Sequence, residues 1–163
     1  MNSLTLGLVV ACAAFVEDVI STGIPYWYKI GSGSGTFYYG LFMACAYTPI
    51  GSVCQKWHIL PDWVMASQAM MISSVLALGA SILLGIMFLT ILKDKAIVCI
   101  GAAFMSFAAG VLCIIGLAVA GVKFTKEASG DLHAGFGLAI IAAIHAFVAG
   151  AIFFLSRNRI GQM

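Results

Sequence analysis

The sequence predicts a membrane all-α fold: a left-handed four-helix transmembrane bundle with a small extracellular antiparallel β-sheet in its first loop. Three observations predict it. Hydrophobic residues make up 63% of the 163-residue chain and charged residues only 9%, whereas an average soluble domain carries roughly 25% charged residues. Lipid must therefore stand in for water over much of the surface. Four stretches, at about 4–24, 64–92, 96–122 and 132–155, match the ~20 mostly apolar residues that a bilayer crossing requires. Between the first two lies a connection of about 25–63 that holds every Trp and Tyr of the chain.

The first stretch must accommodate Glu17 and Asp18 in its outer third. It lacks the basic start and small-residue cleavage site of a signal peptide, so it is expected to remain as a helix. Both acids fall within two turns of the outer interface and are expected to reach headgroups or water, although an acid at membrane depth also invites a functional role such as an ion path. The second stretch is longer than lipid requires. Its start, with Pro61 as a favoured first helical residue, is expected to stand above the membrane. The third and fourth are rich in small residues, among them Gly101, Ala102, Ala109, Gly110, Gly116, Gly135, Ala139, Ala146 and Gly150. Such residues let helices approach closely in lipid, where dispersion contacts replace the hydrophobic drive. His145 lies mid-helix in the fourth span with no second ligand at helical spacing, so an interhelical hydrogen bond is its expected role. The chain reads as a single tetraspan domain, 1–163.

The connections differ in capacity. Lys93-Asp94-Lys95 makes a tight turn, and about nine residues, 123–131, form a small second extracellular loop. Cations do not orient the bundle: with both termini inside, four Lys and Arg fall on each side, a tie under the positive-inside rule.

Cysteine supplies the direction. Cys12, Cys99 and Cys113 lie within apolar spans, where a thiol is usually a small apolar side chain. Cys45 and Cys54 flank Thr48-Pro49-Ile50-Gly51 in the long loop. Pairing residues whose numbers sum to 99 sets these cysteines opposite one another in a hairpin, within reach of a disulfide after slight adjustment. Closing a loop of about 10 residues adds on the order of 2–3 kcal/mol. An oxidising compartment is needed, which places the loop outside and both termini in the cytoplasm.

Residues 27–30, 36–39, 41–47 and 52–57 are expected to be strands. Gly31-Ser32-Gly33-Ser34-Gly35 is expected to be a flexible connection, not a phosphate loop, since no Lys follows and no helix opens after it. Tyr26, Trp27 and Trp63 are expected in an interfacial aromatic belt. Tyr38, Tyr39, Tyr47 and Trp57 are expected to pack the sheet or to form an extracellular contact surface.

The loop also carries a resemblance. Trp27 follows Pro25 just after the first helix. Gly40-Leu41-Phe42 comes next, then Cys45 and Cys54, then Leu60-Pro61-Asp62-Trp63 and Gln68-Ala69. This order resembles the claudin superfamily, which includes peripheral myelin and epithelial membrane proteins, with its Trp…Gly-Leu-Trp…Cys…Cys first loop. Phe42 replaces the second Trp as an aromatic plug, and the stretch from Trp27 to Gly40 is shorter than in claudins. The chain ends Arg-Ile-Gly-Gln-Met, which does not match a PDZ-docking ending, and there is no Asn-x-Ser/Thr sequon.

The resemblance implies cell–cell adhesion or paracellular barrier formation, with the lobe associating with itself or other claudin-like proteins in cis and in trans. The second loop is expected to contribute to that contact. An auxiliary subunit of an ion channel or receptor is the alternative. A transporter resting on Glu17, Asp18 and His145 is a weaker third reading, because four unbroken helices leave little room for a substrate site. From Trp27 to Asp62 only Lys29, Lys56 and Asp62 are charged, and a charge-selective pore needs a lining of one sign, so sealing is expected. The expected setting is the plasma membrane at cell–cell junctions, with the bilayer itself as a partner. The net charge of +2 without a basic run argues against nucleic acid. No catalytic grouping, metal cluster or nucleotide loop stands out, so no enzyme activity and no cofactor are expected.

Overall fold

A computed structural model describes residues 3–32, 35–57, 60–92, 95–127 and 130–156. The expectations for Lys93, Asp94, His58, Gly33 and Ser34 fall outside those residues. The four helices are α1 (Ser3–Gly23), α2 (Asp62–Thr90), α3 (Ala96–Glu127) and α4 (Ala134–Ser156). All four are long and apolar enough to cross a membrane. Helix α1 closes with Ile24 N–H donating to the Ile20 carbonyl. Pro25 then ends it, since proline has no amide proton and disfavours a helical residue before it. Pro61 stands at the N-cap of α2, one position earlier than its expected place as first helical residue. Helix α3 continues five residues beyond the expected end at 122.

The helices form a ring in which α1 touches α2 and α4, and α3 touches the same two. Three apolar layers stack along it. At one end Phe153 is fully buried with Leu4, Ala11 and Phe88. The middle is narrow, with Ala14, Ala109 and Ala146 around Leu78. At the other end Trp27, Tyr28 and Leu41 from the first connection join Met71, Leu117 and Phe124. Small residues set the close approaches between α3 and α4: Phe147 covers Gly110, and Phe107 covers Gly150.

The first connection is a sheet, as the loop's composition suggests. Its strands are β1 (Tyr28–Ser32), β2 (Gly35–Tyr39), β3 (Met43–Thr48) and β4 (Gly51–Lys56). A fifth, β5 (Asp131–Leu132), comes from the second connection, and the order is β4-β3-β2-β1-β5. All its pairings are antiparallel. The expected flexible glycine run is corrected: Gly31, Ser32 and Gly35 are strand residues, with Ser32 opposite Gly35. The second connection adds a strand that its composition did not suggest, because β5 joins the sheet edge through Tyr28–Leu132 and Lys29–Asp131.

Candidate functional site

The sheet is one lobe seated on the bundle, and named residues fix it there. The Trp27 indole N–H donates to the Ser21 carbonyl at 2.6 Å, and its ring meets Phe136 edge-on. Ser21 Oγ donates in turn to the Gly135 carbonyl at 2.7 Å, while the Gly135 amide donates to the Tyr26 carbonyl at 2.7 Å. Trp27 is therefore fully buried, which corrects its expected place in an interfacial belt: it is the peg between α1, the sheet and α4. Trp63 is half-buried and packs edge-on against Phe124, which in turn stacks on Tyr28.

The Gly40-Leu41-Phe42 segment has a distinct job for each residue. A Cβ on Gly40 would lie 2.6 Å from Pro25 Cα and 2.7 Å from the Ile24 carbonyl oxygen, so only glycine lets β2 pass the end of α1. The Gly40 carbonyl accepts from the Trp57 indole at 3.2 Å, and the Leu41 carbonyl accepts from Gln68 Nε2 at 2.6 Å. Leu41 is fully buried. Phe42 is 37% exposed, which corrects its expected role as a plug.

Beyond this anchor, β3 and β4 form a hairpin in the expected register, with Cys45 opposite Cys54, and the two are joined by a disulfide. The two sheet faces differ. Tyr28, Tyr39 and Trp57 lie toward the bundle, with Tyr39 and Trp57 half-buried against each other. On the opposite face Tyr38 meets the rings of Tyr26, Tyr47 and His133 edge-on at 5.0–5.4 Å. The Tyr26 and Tyr47 hydroxyls are hydrogen-bonded at 2.8 Å, and that bond holds the Tyr47 phenol above its ordinary range. Of the four aromatic residues expected at a contact surface, Tyr47 is the exposed one. Ile50 at the hairpin tip is 98% exposed and Val53 60%, two apolar surface residues that aromatic content alone did not flag.

The polar positions of the bundle are organised differently from expectation. Asp18 does not reach toward a polar surface. It is fully buried and turned inward, with Oδ2 2.6 Å from Ser74 Oγ, which is also 3.0 Å from the Ala109 carbonyl. Asp18 Oδ1 has no partner among the described residues. Ser74 is one rung of a ladder. Ser67 and Ser81 donate to the carbonyls of Gly116 and Ala102 at 2.9 and 2.8 Å, and Ser74 Oγ stands 3.0 Å from the Ala109 carbonyl in the same register, its single proton shared between that carbonyl and Asp18 Oδ2. Each rung advances seven residues along α2 and retreats seven along α3, so one face of each helix meets the other throughout. Hydroxyls that satisfy themselves on a neighbouring backbone let the two helices pack closely without stranding a polar atom.

Glu17 and His145 are brought together although 128 residues separate them. Glu17 Oε2 lies 2.7 Å from His145 Nδ1, and the two side chains are 23% and 38% exposed on the outer surface between α1 and α4. Between α3 and α4 an apolar groove of about 550 Å³, lined by Leu117, Phe136 and Phe147 among others, contains no titratable side chain. No family model matches the chain, and no curated protein matches it.

Proposed function

We propose that this chain is a non-enzymatic, claudin-like plasma-membrane protein whose disulfide-closed lobe makes adhesive, sealing contacts between cells. In this reading the four helices span the bilayer, both termini are cytoplasmic and the sheet projects outside. The bundle is left-handed, a sense that the seven-residue spacing of the serine rungs supports, since a heptad repeat belongs to left-handed helix crossings. The observation that carries the reading is the lobe itself: a stapled sheet pegged to the bundle by Trp27 and Leu41, offering Tyr47, Ile50 and Val53 at its free end. An exposed apolar tip on a rigid base suits docking to another protein, because little ordering entropy remains to be lost on contact. The scarcity of charge in the lobe supports sealing over selective conduction.

The test is expression of the tagged chain alone in cells that lack junctions, followed by imaging of cell contacts. Enrichment in lines where two expressing cells touch is expected. Uniform membrane signal, with co-purification of a larger channel or receptor at fixed stoichiometry, would replace adhesion with the auxiliary-subunit role.

A further inference from the structure

We propose that the α1–α4 face bearing Glu17 and His145 is the surface through which two copies of this chain pair side by side within one membrane. This deepens the reading above by naming the surface used in cis, and it rests on the chain spanning the bilayer. His145 is eleven residues from each end of α4, which runs from Ala134 to Ser156. At 1.5 Å per residue that is about 16 Å from either end, while Glu17 lies six residues, about 9 Å, below the end of α1 at Gly23, so the pair falls within the outer half of a hydrocarbon core ~30 Å thick. At that depth ionisable side chains are costly and normally face a bundle interior or a water-filled path. Here the pair opens to the outside, with His145 38% and Glu17 23% exposed. Its surroundings are apolar: Ile20, Ile141 and Val148 are each more than 40% exposed nearby on the same two helices.

The pair is also incomplete. His145 Nδ1 is occupied by Glu17 Oε2, while His145 Nε2 and Glu17 Oε1 make no hydrogen bond among the described residues. Each face therefore offers one imidazole nitrogen and one carboxylate oxygen beside each other. Two copies in one membrane share their orientation, so a two-fold axis between them runs along the membrane normal. Every residue near that axis then meets the partner at its own depth, and a two-fold contact is self-complementary by construction. With both ring nitrogens carrying hydrogen, each His–Glu pair is neutral overall, and the Nε2–H of one copy donates to Glu17 Oε1 of the other, twice, inside an apolar surround that excludes competing donors. A second copy is the occupant that this polar pair fits without any further matching.

Cysteine cross-linking in membranes tests this. In a Cys12→Ala background, Ile141→Cys lies one turn from His145 on the proposed face, and Leu83→Cys, 64% exposed on α2, serves as the control on another face. Ile141→Cys is expected to oxidise to a species of twice the chain mass, and Leu83→Cys is not. Adding Glu17→Leu and His145→Leu should reduce the Ile141 dimer about tenfold at equal surface level, since leucine is favoured in lipid and keeps each monomer inserted. Equal cross-linking from positions 141 and 83, a dimer that survives the double leucine change, or a product of any mass other than two chains would overturn the proposal. Dimers are scored in isolated cells, without cell contacts. Loss of the dimer with contact enrichment intact thus refutes only this surface, and loss of enrichment with the dimer intact refutes only the adhesive reading.

Discussion

Replacing Gly40 by alanine tests the lobe's seat on the bundle. The added Cβ would stand 2.6 Å from Pro25 Cα and 2.7 Å from the Ile24 carbonyl oxygen, both of them backbone atoms, whereas ordinary contact begins near 3.4 Å. Relief requires a separation of about 0.8 Å, the difference between 3.4 and 2.6 Å, large for a close-packed interior. The neighbours resist it. Trp27 N–H donates to the Tyr39 carbonyl at 3.0 Å on one side of the contact, and Gly40 N–H to the Met43 carbonyl at 2.9 Å on the other. Trp27 itself is held to Ser21. Overpacking costs about 1–3 kcal/mol, and loosening one backbone hydrogen bond adds about 1 kcal/mol, so Gly40→Ala should cost about 3 kcal/mol. For a chain of this size that lowers Tm by about 6–12 °C. Thermal unfolding in detergent micelles, followed by tryptophan fluorescence, reads the right region because all three Trp lie between 27 and 63. Gly137→Ala is the matched control, since a methyl group there would meet nothing within 4 Å and alanine favours a helix. If Gly40→Ala melts within about 2 °C of the parent, the close approach is not what fixes the lobe.

Three further outcomes are expected. Cys45→Ser with Cys54→Ser should destabilise the lobe by about 2–3 kcal/mol, and alkylation of the untreated parent should leave both of these thiols unlabelled until reduction, read by mass. Ser74→Ala should cost about 1–3 kcal/mol, because it strips buried Asp18 of its hydrogen-bonding partner; the same change made together with Asp18→Ala should cost less than the sum of the two singles, a coupling that a double-mutant cycle of thermal stabilities measures. The raised pKa of Tyr47 means that the folded lobe favours the neutral phenol. That contribution is fully present below the unfolded pKa of about 10 and is lost as pH rises through the higher folded value. Tyr26→Phe should therefore shift phenolate absorbance to lower pH and flatten the alkaline fall in stability.

Much of the fold was legible because two periods and one composition carry it. Long apolar runs fix the four helices, and a two-residue period with Pro49 and Ile50 at the turn fixes the hairpin register that sets Cys45 against Cys54. Contacts distant in sequence were not legible. Strand β5 has only two residues and no strand signal of its own; it exists because β1 offers an edge. Helix α3 outruns its apolar stretch because Phe124 stacks on Tyr28, a reward that hydropathy does not register. Trp27 reads as a belt residue until the Ser21 carbonyl and Phe136 are seen to enclose it. Two signals were available all along. Asp18 falls on the stripe of Gly7, Ala11, Ala14 and Ser21 that α1 buries, whereas Glu17 falls off it. Ser67, Ser74 and Ser81 announce a ladder by their seven-residue spacing alone.

In the proposed reading the lobe binds a like surface across the gap between two cells. Cells expressing the fluorescently tagged chain, mixed with cells that lack it, test that claim at their borders. Such binding predicts that signal per unit length at borders between two expressing cells exceeds twice that at borders with a non-expressing neighbour, beyond simple doubling of two membranes. It predicts also that Ile50→Asp with Val53→Asp, changes confined to the exposed tip, returns the ratio to simple doubling at equal surface level. A ratio of simple doubling for the unmodified chain would contradict it.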